Sequence, residues 1–478
     1  MELRARTEGV GRMTLATMPE YDSTRLERVG SHAVVIGASM AGLCAARVLT
    51  DGFEEVTIVE RDSLPDVPAP RRGVPQAQQP HVLWEAGRAT LEHLFPGYSA
   101  AVLEAGGVKV DGQTEFNNYS NGDFLANGDR SFAIYSATRP VYEQIVRERV
   151  VALGRIRLRS ECQFTGYLLD DTETTVEGIE IRTEDSDSEQ VRADLVVDAT
   201  GRTSRTPALL EYHGYQPPAL DEVQIDAAYS TTFIQRPADD HRAFGALAEA
   251  PRTRGGVVAP VEENRWLVSL HGVHGDHPPT DYDDFVDFAA SVPATEIREL
   301  LEEHPPVDGE IHHYPFAANR RYHYERLSRF PEGLVVVGDA VASFNPIYGQ
   351  GMSVAALEAV LLHDVLATGG RVDAGLRFFD RTMELVDIAW TMAVGADFGF
   401  PETRGQKPRG TTFFNWYLNR LLRTAHSDGA LTDAFVQVLM LERPPTTLLR
   451  PSVVWRVLKP SGGVRQALHR QVEGTVRR

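Results

Sequence analysis

Leu334-Val-Val-Val-Gly-Asp-Ala-Val-Ala-Ser-Phe-Asn-Pro-Ile-Tyr-Gly-Gln-Gly-Met352 joins a buried strand, a carboxylate at its end and a glycine-rich helix start. Leu334 to Val337 is a short apolar, β-branched run of the kind buried on both faces of a sheet, and Gly338-Asp339 closes it with an acid at the sheet edge. An acid in that place is suited to holding a polyol. Pro346 stops any earlier helix, Gly349 and Gly351 let the backbone approach a planar ligand, and an apolar helix is expected from Met352 to Leu366. The amides that open such a helix favour an anionic or electron-rich group.

Two stretches upstream repeat the theme. His32-Ala-Val-Val-Ile-Gly-Ala-Ser-Met-Ala-Gly-Leu-Cys-Ala-Ala-Arg-Val-Leu49 is a buried strand that turns at Gly37 and enters an alanine-rich helix at Ala41. Gly42 lets that helix pack close to the strand, and the first-turn amides around Ser39, Met40 and Ala41 face a pyrophosphate. The pattern is G-x-S-x-x-G, with Ser39 where the second glycine of G-x-G-x-x-G is usual. A second strand, Val56 to Val59, ends in Glu60-Arg61, and an acid at that distance suits the hydroxyls of a ribose without a 2′-phosphate. Ala193-Asp-Leu-Val-Val-Asp-Ala-Thr-Gly-Arg-Thr-Ser-Arg205 is a further buried strand ending in an acid, Asp198, with Gly201 close behind.

Between these lie a loop and a helix. Five prolines between Pro65 and Pro80 exclude helix and central strand, so this stretch is expected as an ordered loop at the mouth of the site, carrying Arg71 and Arg72. Arg139-Pro140 opens a helix whose apolar face is Val141, Ile145, Val146 and Val150, and strands joined by an acidic turn are expected next over Ile156 to Leu169 and Val176 to Arg182.

Three motifs in this order resemble the fingerprints of the class A flavin monooxygenases, the para-hydroxybenzoate hydroxylase fold, over residues 31 to 460 or so. The resemblance implies an α/β Rossmann-like domain holding FAD, an inserted antiparallel substrate sheet and a C-terminal helical region. It implies that Gly338-Asp339 holds the ribitol and that Pro346, Gly349, Gln350 and Gly351, leading into Met352, lie along the isoalloxazine as the oxygen-activating wall. It also places Arg139, and Arg72 or its neighbour Arg71, on FAD, with Asp198 near the flavin. Arg71 to Trp84 is nearest to the polyether-type epoxidases of that family. The implied chemistry is reduction of FAD by NAD(P)H, capture of O2 as a C4a-hydroperoxide and transfer of one oxygen atom to an apolar substrate carrying an alkene. No second nucleotide fingerprint is present, so NAD(P)H is expected as a transient reductant. The runner-up is an alkene reductase resembling the geranylgeranyl reductases, whose aromatic-Phe-Pro pocket motif is missing here. A non-catalytic flavoprotein is the third reading. Flavin halogenases need a lysine near the flavin, and residues 61 to 108 contain none.

The corresponding domain boundaries are a loose, flexible N-terminal extension over 1–29, an FAD domain over 30–221 and 318–366, a substrate sheet over 222–317 and a helical region with a basic tail over 367–478. Gly256 to Val261 and Arg265 to Val273 flank Glu262-Glu-Asn264 as a hairpin, whose inner face of Val257, Ala259, Val261, Leu267 and Ser269 is mostly apolar. His271, His274 and His277 lack the spacing of a metal site, and no metal is expected. A net charge of −19 argues against a nucleic-acid groove. Cys44 and Cys162, each in an apolar run, are expected as buried free thiols in a reducing compartment, and with no long apolar span or signal core the expected location is the cytoplasm. Residues 440–478 carry eight Lys/Arg against two acids, a tail suited to the protein's own acidic body or, second, to an anionic membrane surface.

Overall fold

The computed structural model describes residues 13–459. Leu334–Val336 (β17), Leu195–Asp198 (β11), Gly30–Ile36 (β1), Phe53–Val59 (β2) and Ile156–Arg159 (β7) pair in that order, all parallel. The apolar runs at the centre of this sheet are buried on both faces, which is why they carry no alternation. Their register is what builds the site. Ile36 lies beside both Val59 and Asp198, and Asp198 beside Val336, so Gly37, Glu60, Ala199 and Gly338 emerge along one carboxyl edge.

Helices cover the sheet. Met40–Gly52 (α1) packs against Gly351–Gly369 (α8), which also meets Glu85–Leu94 (α2) and Ala374–Asp397 (α9). By length and composition α8 is apolar enough to cross a membrane, but here it is buried from Met352 to Leu366 within the molecule. Tyr98–Glu104 (α3), Arg139–Val151 (α4) and Thr206–Tyr212 (α5) complete the first domain. Tyr282–Ala289 (α6) and Thr295–Glu303 (α7) back the second sheet, and Thr411–Ala425 (α10), Gly429–Leu439 (α11) and Pro451–Leu458 (α12) follow α9.

The second sheet has eight strands in the order Ala342–Ser343 (β18), His312–His323 (β16), Ala219–Gln235 (β12), Arg265–Gly272 (β15), Arg254–Val261 (β14), Ala243–Ala246 (β13), Phe116–Ser120 (β4) and Asp123–Phe124 (β5). The hairpin β14–β15 turns where the sequence places it, with Val261 opposite Arg265. The sheet exceeds the expected 222–317 span at both ends: β18 joins one edge, while β4 pairs in parallel with β13 and brings Phe116 beside Ala243.

Two expectations are corrected. Residues 156–169 are two strands in different sheets, because the chain turns at Glu161 with φ +58; Ile156–Arg159 stays in the parallel sheet, and Gln163–Leu169 (β8) pairs with Val176–Arg182 (β9), itself paired with Glu189–Arg192 (β10). Residues 13–29 are not loose: Thr14 is buried, the Leu15 amide donates to the Leu441 carbonyl at 3.0 Å, and Tyr21 donates to Asp51 at 2.6 Å. Val108–Asp111 (β3) and Ala133–Ser136 (β6) form a small further sheet.

Candidate functional site

One continuous cavity of about 750 Å³ opens at the carboxyl edge of the parallel sheet and runs under the second sheet to α9–α11. Gly37, Ser39, Met40, Ala41, Glu60, Arg61, Arg71, Arg72 and Arg139 line its first part, Gly338 and Asp339 its middle, and Pro346, Gly349, Gly351 and Met352 the wall beyond.

Glycine is required at two places. A Cβ on Gly42 would stand 1.9 Å from the Gly37 carbonyl oxygen, so only glycine lets α1 lie this close to β1. Gly338 has φ +65, and a Cβ there would stand 2.8 Å from the Ala41 Cβ.

Beside the α1 N-terminus three carboxylates and two guanidinium groups form one cluster. Arg71 contacts Glu60 at 3.0 Å, Asp62 at 3.0 Å and Glu143 at 2.8 Å; Arg139 contacts Glu143 at 2.8 Å and donates to the Ser39 hydroxyl at 2.8 Å. Burial opposes charge on Glu143, but Arg139 and Arg71 outweigh it and hold the carboxyl below its ordinary value. Two buried guanidinium nitrogens, Arg71 Nη2 and Arg139 Nη1, nevertheless have no protein partner. The guanidinium groups of Arg71 and Arg139 line the first part of the cavity beside the first-turn amides of α1, a set that could hold an anion such as a pyrophosphate. Glu60 also accepts from the Ala38 amide at 2.8 Å, so its carboxylate is fixed at the strand end.

Asp339 lines the cavity and is exposed to it; its position deep in the molecule raises its pKa, with Arg202 and Arg139 opposing. Beneath it Glu358, 2 % exposed, accepts the Gly338 amide at 2.7 Å, and burial pushes its pKa up to about 8, with Asp339 adding to the rise.

The wall is held from behind. Pro346–Tyr348 is a single tight turn closed by Gly349 at φ +62, and the Trp84 indole donates to the Tyr348 carbonyl at 2.7 Å. Asn345 accepts from the Tyr229 hydroxyl at 2.5 Å and donates to Asp397 at 3.0 Å; Asn319 donates to the other Asp397 oxygen at 2.8 Å. Burial lifts Asp397 to about 6.

The far chamber is mainly apolar, walled by Phe116, Phe244, Val257, Ala259, Leu422 and Phe435. Of the expected inner face, Val257, Ala259 and Ser269 line the cavity, joined by His271, while Val261 and Leu267 are buried outside the lining. His271 accepts from the Ala248 amide at 3.1 Å, and burial lowers its pKa to about 4; burial and Arg139 bring His81 to about 4 as well. Both rings are neutral at pH 7. His274 and His277 go elsewhere, His277 to Asp226 at 3.2 Å. Among the described residues no group of His, Cys, Asp or Glu could hold a metal ion.

Three residues read from the sequence as site residues do not line the cavity. Gly42 acts through helix packing, as above. Asp198 is consumed internally, accepting from the Thr200 amide (2.9 Å) and hydroxyl (2.6 Å), from Ser204 (2.6 Å) and from Thr206. Gln350 turns away from the wall and donates to the Leu439 carbonyl at 2.9 Å, tying α8 to α11. Conversely, the sequence does not single out Glu143, Glu358, Tyr229 or Glu249, and it raises His271 only as a metal ligand. The spacing of Glu143, four residues after Arg139 on a helix, was a usable signal. Glu249, in the far chamber, accepts from Ser120 and from the Asn121 amide at 2.7 Å.

A parallel sheet whose carboxyl edge carries this cradle, roofed by a second, mainly antiparallel sheet, is the class A flavin monooxygenase fold. The chain belongs to the FAD binding domain family, whose signature spans residues 31–381. It is 33% identical over 440 residues to Protein Rv3254 of Mycobacterium tuberculosis, covering 86% of this chain and 90% of that one. Two solved structures share the fold. The flavin-dependent brominase Bmp2 matches at a TM-score of 0.61 and 15% identity, covering 92% of this chain and 100% of that one. PqsL of Pseudomonas aeruginosa, a probable FAD-dependent monooxygenase, matches at 0.56 and 18%, covering 77% and 97%.

Proposed function

We propose that the protein is a monooxygenase that uses FAD, NAD(P)H and O2 to place one oxygen atom in an apolar substrate carrying an alkene. The balance is substrate, O2, NAD(P)H and a proton going to oxygenated substrate, water and NAD(P)+. Bound FAD supplies the electron carrier and the means of activating O2. Glu60 holds the adenosine ribose, the α1 amides with Arg71 and Arg139 hold the pyrophosphate, and Asp339 holds the ribitol. The turn Pro346–Gly349, fixed by Trp84 and Asn345, shapes the wall beside the reacting end. The second sheet excludes water from the chamber.

The observation that carries this reading is the continuity of the cavity from the charged cradle into the apolar chamber. Such a chamber buries an apolar chain and offers few groups to orient a charged one. A phenol would need a base to ionise it; burial lowers both cavity histidines to about 4, which makes them weak bases, the Ala248 amide occupies His271 Nε2, and Glu249 is engaged by Ser120 and Asn121. Lys109, exposed on β3, does not reach the cavity, which argues against halogenation. The test is incubation of FAD-loaded protein with NAD(P)H, air and a panel of polyenes beside simple phenols. Epoxides from polyenes support the proposal, whereas ring-hydroxylated phenols alone, or saturated products, defeat it.

A further inference from the structure

We infer that the outer face of α10 and α12, with the segment between them, is a docking surface for an anionic lipid bilayer. Three of the five tryptophans, Trp84, Trp266 and Trp390, are buried at 6%, 0% and 5% exposure. The other two are Trp416 on α10 and Trp455 on α12, exposed at 53% and 70%. Phe413, whose ring lies 5.7 Å from that of Trp416, and Leu449 and Leu458 are exposed beside them in the chain. The two helices are packed together: the Arg420 guanidinium of α10 donates to the Val457 carbonyl of α12 at 2.9 Å, and the Tyr417 hydroxyl to the Leu448 carbonyl at 2.6 Å. Packing among the described residues therefore leaves these large side chains in water, a cost that a covering phase would remove.

Charge says which phase. Residues 404–478 hold thirteen Lys/Arg against four Asp/Glu, a charge of +9 in a chain of −19, so the rest carries −28. Arg456 is paired with Asp428 at 2.8 Å, while Arg420, Arg423 and Arg450 stand exposed among the aromatic positions. Tryptophan and phenylalanine flanked by arginine is the composition of an interfacial surface, and an anionic membrane attracts this end while repelling the remainder. A second copy is disfavoured, because a two-fold contact would set the same arginines against each other. The opposite side of α10 and α11 contributes Leu418, Leu422, Phe435 and Leu439 to the chamber, so the docked face is one helix layer from the cavity. That last step rests on the proposed function; the docking does not.

The test is flotation of the full-length, FAD-loaded protein with vesicles of phosphatidylcholine alone or mixed with phosphatidylglycerol, at low and high salt. Binding is expected only to the phosphatidylglycerol vesicles, weakened by salt, with a blue shift of tryptophan emission. Trp416→Ser/Trp455→Ser and Arg423→Glu/Arg450→Glu should each bind at least roughly tenfold more weakly while retaining FAD. Absence of binding at low salt, or unchanged binding by both variants, overturns the inference. So does a wild-type dimer in solution that the tryptophan variant dissolves, since a second copy would then cover the face.

Discussion

Glu358→Gln should stabilise the protein at high pH and do so by an amount that grows with pH. The carboxyl is buried in α8, accepts the Gly338 amide and titrates near 8 against 4.5 when unfolded. Its folded pKa is raised, so the native state holds a proton that the unfolded chain has released between pH 4.5 and 8. The contribution is complete below 4.5 and is lost as pH rises through about 8. At about 1.4 kcal/mol per unit, the penalty is about 1.4 kcal/mol at pH 5.5 and about 4 kcal/mol at pH 8. Glutamine keeps an oxygen for the Gly338 amide and cannot ionise. The variant should therefore gain about 3 kcal/mol on wild type between those pH values, which for a chain of this size is about 3 °C in Tm. Calorimetric melts of both proteins at saturating FAD provide the check; parallel pH dependence would refute the assignment of a neutral Glu358.

The remaining predictions concern the cradle. Gly42→Val forces α1 off the Gly37 carbonyl, so purified wild type should be yellow with FAD and the variant colourless. Asp339→Ala removes a charge-assisted hydrogen bond of about 1.5 to 3 kcal/mol and should weaken FAD about ten- to a hundredfold by fluorescence titration; equal affinity would place the ribitol elsewhere. Arg71→Met leaves Glu60, Asp62 and Glu143 with Arg139 alone, so stability should fall by about 3 to 5 kcal/mol at pH 7 and recover in part toward pH 5, as read by urea unfolding at the two pH values.

The parallel sheet was legible because each central strand is an apolar β-branched run ended by a glycine or acid, and burial on both faces leaves no other pattern. Strands β3 to β6 were not. Phe116-Asn-Asn-Tyr-Ser120 has neither alternation nor an apolar core, and it is a strand because Ala243 to Ala246 offers it an edge. At the site, spacing identified the residues at strand ends but not the use of their side chains. Asp198 reads like Asp339, yet the hydroxyls of Thr200, Ser204 and Thr206 lie close enough behind it to take its oxygens. Gln350 sits amid the glycines of the wall, but its amide is spent on Leu439, a partner 89 residues away. Glu358 lay hidden in an apolar helix; its role follows only from the orientation of the Gly338 amide.

The most direct measurement is the origin of the oxygen in the product. FAD-loaded protein with NAD(P)H and a polyene that it converts is run under oxygen-18 gas in ordinary water, and in parallel under ordinary oxygen in labelled water. The account predicts one labelled atom per product molecule in the first reaction and none in the second. Label only from water, or a product with no added oxygen, would contradict it.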